Sequence, residues 1–364
     1  MVRCGSSVLW LMLLIPLGSF AQSARLRPAP QVWMPAQVDS NSPVFWRDYQ
    51  FHVFNSAGTP VLSWGMHQFA PMNSETVRVD RDEHFPMWIE AVWVDEDGTI
   101  YAWYHHEQLG VCPGTDLTVP HIGALVSYDG GHSFQDLGLI LTAGDPPDCS
   151  AKNGFFAGGH GDFSVILDRD RQYFYFLFGN YGGPAEFQGI GIARMAFEDR
   201  RNPVGAVWKY FNGDWTEPGL GGRLTPIFPV ATAWQRADAN AFWGPSIHWN
   251  THLESYVVLL NHACCEPGWP AAGVYVSFNP DVGNPQGWSK PKLLLEHPPG
   301  YYPQVVGLVV GETDTLASRV ARFYLHGYSG WEIVFTRQDE EPEEEPSPEP
   351  PVDEVVPPNN APLP

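Results

Sequence analysis

A run of four to seven β-branched and aromatic residues, a polar turn, then a second such run recurs along this chain. That unit constrains the fold more than any other feature of the sequence. Three copies are clear: "WIEAVWVDEDGTIYAWYHHE" at 88–107, "GDFSVILDRDRQYFYFLFGN" at 161–180 and "GPSIHWNTHLESYVVLLNH" at 244–262. Weaker copies stand at 41–56, "NSPVFWRDYQFHVFNS", and after 302, in "YPQVVGL" and "ARFYLHGYSGWEIVF". In each clear copy the second run is apolar on both faces, as in "YFYFLF", which is what a strand sandwiched between two neighbouring sheets requires. A third strand begins near a glycine after each pair ("GALVSYD", "GIGIARMAF", "GVYVSFN"), and a fourth follows. Nothing reads as a long helix. Five four-stranded units at spacings of about 45 to 85 residues predict an all-β, five-bladed β-propeller of antiparallel blades. Its inner strands should begin near 43, 89, 162, 245 and 304. A sandwich or jelly roll would supply similar strands without five similar pairs, and a parallel β-helix would show shorter, more regular periods.

The stretch "ALVSYDGGHSF", 124–134, falls between the third and fourth strands of the second unit. Ser127, Asp129, Gly131 and Phe134 predict a tight turn in which the Asp129 carboxylate accepts backbone N–H groups. Gly131 would take a positive φ and Phe134 pack beneath. This spacing resembles the Asp-box of sialidases and other propellers, where it lies on the outer hairpin away from ligand. "SFNPDVGNPQGW" at 277–288 looks like an expanded version at the same place in the fourth unit. The motif is expected to mark architecture rather than chemistry.

Both ends of the chain differ from its body. Arg3, the apolar "VLWLMLLIPLGSF" and the small-x-small "SFA" before Gln22 predict a cleaved signal peptide over 1–21, and so a secreted or periplasmic protein without membrane insertion. Residues 338–364, "QDEEPEEEPSPEPPVDEVVPPNNAPLP", carry nine acids, no base and many prolines. They are expected to form a disordered acidic tail. The propeller is assigned to 22–337. Of the formal charge of −21, the tail carries −9 and the signal +1, which leaves the body near −13. An acidic body without a basic cluster argues against a nucleic-acid partner. A 14% aromatic content with 15 Trp suits either a stacking surface for flat ligands or packing in a β core.

Four cysteines remain after cleavage, and export permits disulfides. Cys112 and Cys149 lie in loops flanking the opening hairpin, and we expect a bridge between them. Cys264 and Cys265 are either a vicinal pair or reduced. No Cys-x-x-Cys spacing supports structural zinc.

A propeller's ligand pocket lies at one end of its axis, lined by the starts of the inner strands. Aligning the five units places Asn41 and Ser42, Glu90, His160 and Asp162, Trp243 and Gly244, and Gln304 there. Glu90 and Asp162 interrupt the apolar strands "WIEAVW" and "GDFSVIL", where a charge is costly without partner or purpose. Two carboxylates converging on an aromatic pocket are what glycosidic cleavage needs, one to protonate the leaving oxygen and one to assist water or form the glycosyl bond. The bland alternative is that both acids fasten the axial channel. Trp243 is the expected sugar platform, with Asn41, His160 and Gln304 as further substrate contacts.

At these residues the chain resembles the five-bladed glycoside hydrolases, chiefly families 43, 32, 62 and 117, over most of 38–336. Family 43 implies an aspartate base on the first blade, an aspartate that tunes the acid on the second, and a glutamate acid on the third. Here the first slot is Ser42 with Asp39 close by, the second is Glu90 and the third Asp162, while "WGPSIHW" offers no acid. Glu217, on the Gly/Pro-rich "WTEPGLGG", is then the candidate third carboxylate over the pocket mouth. The resemblance also implies, in some members, an axial metal ion such as calcium near a histidine, for which His160 is the candidate; no spacing specifies calcium or zinc ligands.

The leading expectation is therefore an exported glycoside hydrolase acting on a polysaccharide or oligosaccharide. Its rivals are a non-catalytic propeller that binds glycan or protein, favoured by the missing family acids, and a lyase or phosphorylase on the same scaffold. A sialidase would need three pocket arginines, which the sequence does not assemble.

Overall fold

A computed structural model of the protein describes residues 22–337 and Glu340. The signal peptide expected over 1–21 and the remainder of the acidic tail over 338–364 lie outside the described residues. Five small sheets surround an axis as the blades of a β-propeller. Their inner strands are Val44–Arg47, Met87–Val94, His160–Leu167, Asn240–Asn250 and Gln304–Gly307. Each blade then runs outward through antiparallel neighbours, as from Met87–Val94 to Ile100–Gln108, Val119–Ser127 and Ser133–Leu141 in the second.

The doubly apolar second strands behave as their sequence demands. In "YFYFLF", Phe174, Phe176 and Phe178 enter the core shared with the second blade, beside Trp103 and Ile122. Tyr175 and Leu177 point the other way, into the core shared with the fourth blade, beside Ile247 and Val258. Similar layers fill the other gaps between blades. Burying both faces of every middle strand is the main source of stability here, since burial contributes roughly 25 cal/mol per Å² of apolar surface.

The ring is closed by a strand the sequence reading did not find. Ser23–Trp33 pairs antiparallel with Tyr328–Thr336, from Ser23↔Thr336 to Trp33↔Tyr328, and forms the outer edge of the fifth blade. The start and end of the described chain are thereby sealed into one sheet.

Cys112 and Cys149 are bridged as expected, with Cα atoms 5.3 Å apart. Cys264 and Cys265 are also bonded to one another. In the turn at 127–134 the Ser133 N–H donates to Asp129 Oδ1 at 2.9 Å, as expected of that carboxylate, while the Gly131 N–H donates to Ser127 Oγ at 2.9 Å. Gly131 has φ +92° and Phe134 is buried. Asp129 itself is exposed. Asp129→Ala should therefore cost only about 1 kcal/mol, the worth of ordinary turn hydrogen bonds. A melting temperature a few degrees lower with ligand affinity intact is the expected result; lost affinity in a folded variant would place this turn at the site.

Candidate active site

At the end of the axis where the inner strands start, a cavity of about 270 Å³ is lined by Asp39, Trp88, His105, Glu107, Asp116, Thr118, Phe155, Phe156, Asp162, Trp243, Trp269, Tyr301 and Tyr302. Three of the inner strands break register at this height. The irregularities lie between Ile89 and Ala91, between Gly161 and Phe163, and between Trp243 and Ser246. Glu90 and Asp162 are the extra residues of the first two, and Asp162 has φ +44°. A bulge re-aims one side chain out of the strand's alternation. The acids that looked misplaced in apolar strands stand where the strands are bent for them.

Asp162 reaches the cavity. Its two oxygens accept the Tyr181 hydroxyl and, at 3.2 Å, the Tyr302 hydroxyl. Burial pushes its carboxyl above the ordinary aspartate range, although His105 and Tyr181 pull the other way. Glu90 does not line the cavity. One oxygen lies 2.5 Å from His105 Nδ1, and the other accepts the Phe163 N–H at 3.1 Å, next to Asp162 at the bulge. His105 stacks on Trp88, ring centroids 4.6 Å apart, and presents Nε2 to Glu107 at 3.4 Å.

A buried relay Glu90–His105–Glu107 thus runs from the core to the cavity wall. Burial alone would discharge His105, but the Glu107 and Glu90 carboxylates outweigh it and raise its pKa well above the usual imidazole range. Burial likewise raises Glu90, and His105 opposes that rise. Burial pushes Glu107 up too, yet its hydrogen bonds from His105 and Thr118 hold it lower than a free glutamate. Asp39, at the mouth, is raised by burial against the pull of His326 and His105.

The remaining sequence candidates separate. Asn41 donates from Nδ2 to the Phe163 carbonyl at 2.8 Å and the Pro245 carbonyl at 2.9 Å, tying the first, third and fourth blades together. Gln304 exchanges hydrogen bonds with the Ser42 backbone. Both fasten the channel through hydrogen bonds to backbone partners, and neither lines the cavity. His160 begins the third inner strand but packs against Phe178, and burial, with Lys209 adding to it, depresses its pKa well below the usual value. Glu217 lies on Asp214–Pro218, the outer strand of the third blade, where it accepts the Arg223 N–H at 3.0 Å. It is an edge-strand residue, not a lid. Trp243 does line the cavity, but only 5% of it is exposed, wedged against Trp269, Tyr301 and Tyr302. It is a wall; Phe155, 43% exposed, is the aromatic face that a ligand can meet.

Calcium does not fit the axial residues. Glu90, His105 and Asp162 bring ligand atoms within 4.8 Å of one another. Calcium takes six to eight oxygens, whereas one donor here is an imidazole and both carboxylates are already engaged by protein donors. His160 faces away.

No family model matches the sequence, and no curated protein matches it either. In fold it is similar to solved glycoside hydrolase structures. A thermostable family-43 glycoside hydrolase shares 12% identity over 84% of this chain and 92% of its own, with a TM-score of 0.46. An endo-arabinase from Bacteroides thetaiotaomicron VPI-5482 shares 12% over 84% and 96%, with a TM-score of 0.48. A native arabinanase from Bacillus subtilis shares 11% over 84% and 95%, with a TM-score of 0.43. At such identities residue roles do not transfer; they rest on the geometry above.

Proposed function

We propose that this protein is an exported glycoside hydrolase that binds the end of a polysaccharide or oligosaccharide in the axial cavity and cleaves a glycosidic bond there. One observation carries the reading: two carboxyls on the same aromatic-walled cavity, Asp162 and Glu107, are pushed in opposite directions by their surroundings. A raised acid beside an ionised carboxylate is how general acid and general base divide their work. Asp162 would protonate the leaving oxygen, with Tyr181 and Tyr302 orienting it. Glu107, kept ionised by His105, would activate water or attack the anomeric carbon. Glu90 is a positioning residue, through its bonds to His105 and to the backbone beside Asp162, rather than the second member of the pair. Phe155 offers a hydrophobic face to a sugar ring. Two disulfides agree with an oxidising compartment, and no helix among the described residues is long and apolar enough to cross a membrane.

Reducing-end release by the full chain across a panel of neutral and acidic polysaccharides tests this. Cleavage of at least one member is the expected result. Binding without cleavage would replace the hydrolase with a glycan-binding propeller, the reading that the full engagement of Glu90 and Asp162 by protein donors favours.

A further inference from the structure

Away from the axis, on the second blade, stands a cluster that the proposed chemistry does not use. Glu83 and His84 lie in the connection leading into Met87–Val94, and Asp136 lies on the outer strand Ser133–Leu141. One ligand atom from each falls within 4.8 Å of the others. We propose that Glu83, His84 and Asp136 form a binding site for a first-row divalent cation such as Zn²⁺, which pins the inter-blade connection to the outer strand.

The donor set is one imidazole nitrogen and two carboxylate oxygens, the ligand types that zinc accepts as three protein ligands with a fourth position left to water. Asp136 is held as a ligand needs to be. Its Oδ1 accepts the Tyr104 hydroxyl at 3.0 Å and the Gly138 N–H at 2.8 Å, and its own N–H donates to Asp80 Oδ1 at 2.8 Å. Oδ2 is left facing His84 Nδ1 at 2.5 Å, and the Tyr104 hydroxyl lies 2.7 Å from the same nitrogen. Such outer contacts fix the orientation of metal ligands and are worth about 10–100-fold in affinity.

A simple His–Asp ion pair would be complete with two residues. The third carboxylate, Glu83, adds negative charge with only an exposed Arg81 contact at 3.7 Å to offset it, a kind of pair that contributes little. Exposure is graded as access requires: the Asp136 side chain is fully buried, His84 is 16% exposed and Glu83 is 60% exposed. Glu83, the exposed outer ligand, can meet an ion that enters from solvent.

The test is calorimetric titration of chelator-treated, full-chain protein with ZnCl₂ near neutral pH, where the ligands can shed their protons, paired with melting curves. One Zn²⁺ per chain and a raised Tm are expected for the wild type, because an ion bound only by the folded state stabilises it. Glu83→Ala, at an exposed position that does not threaten folding, should weaken uptake by about 10-fold or more. His84→Ala should abolish it, while Asp162→Asn should leave it unchanged. No uptake by folded wild type overturns the proposal. So does uptake undiminished in both Glu83→Ala and His84→Ala, or uptake lost in Asp162→Asn, which would put the ion on the axis.

Discussion

Asp162→Asn should lower turnover by about 10²–10⁴-fold while the protein stays folded and still binds glycan. The amide preserves the shape of the carboxyl and can accept one tyrosine hydroxyl as before, Tyr181 and Tyr302 being the two donors present. What it loses is the proton that a raised carboxyl can deliver to a leaving oxygen. The rest of the cavity, including Phe155 and the tryptophan walls, is untouched, so affinity should fall far less than rate. Three measurements on one variant decide the matter: Tm, glycan affinity and reducing-end release. Wild-type turnover in a folded Asp162→Asn protein would remove this residue from the chemistry. Equal losses in affinity and rate would mean that Asp162 shapes the cavity without donating a proton. A wild-type pH–rate profile whose alkaline limb shows no fall above the ordinary aspartate range would argue the same way, because a raised carboxyl must be protonated to act and activity should fall as pH rises through its pKa.

The inner strands were legible because burial on both faces leaves a strong pattern. Their expected starts near 43, 89, 162, 245 and 304 compare with Val44, Met87, His160, Asn240 and Gln304. Ser23–Trp33 left no such trace. It reads "SARLRPAPQVW", with two prolines and two arginines, and only an edge strand tolerates that composition. Glu90 and Asp162 were visible as charges in apolar strands, but the cost of burying a charge marks a site without saying which side of a bulge each carboxyl takes. Hence Glu90, expected in the cavity, lies behind His105. Glu107 sits at the far end of a second strand, and Phe155, Trp269 and Tyr302 come from loops that no periodicity reports. Glu217 was misplaced for a related reason: "WTEPGLGG" looks like a loop, yet its first half pairs as the outermost strand of a blade. Sequence distance from the axis is not readable in a propeller until the strand count within each blade is known.

Glu90→Gln should destabilise the fold in a pH-dependent way, and its signature separates positioning from catalysis. In the wild type Glu90 meets two donors, His105 Nδ1 at 2.5 Å and the Phe163 N–H at 3.1 Å. A glutamine has one acceptor oxygen. If that oxygen keeps the Phe163 N–H, the amide N–H₂ faces His105, which must then accept and so must lose its proton. Removing one partner from a buried, hydrogen-bonded charge pair costs on the order of 3–5 kcal/mol, roughly 5–15 °C in Tm for a domain of this size. The pH window follows from the directions of the two shifts. His105 is raised in the folded state, so its contribution is fully present below the unfolded value of 6.5 and is lost as pH rises through the folded value. Glu90 is raised as well, from 4.5, so its contribution also falls with rising pH. The gap in Tm between wild type and Glu90→Gln should therefore be widest below the unfolded glutamate value of 4.5 and narrow as pH rises toward the alkaline range. A gap that is constant with pH would mean that the variant disturbs packing alone, and no gap at any pH would show that the Glu90–His105 contact carries no stability. Turnover should fall with the variant at acid pH, where the Phe163 bond beside Asp162 is most disturbed, and recover in part as pH rises. A Glu90→Gln protein that melts like wild type but has lost its activity would instead return Glu90 to the chemistry itself.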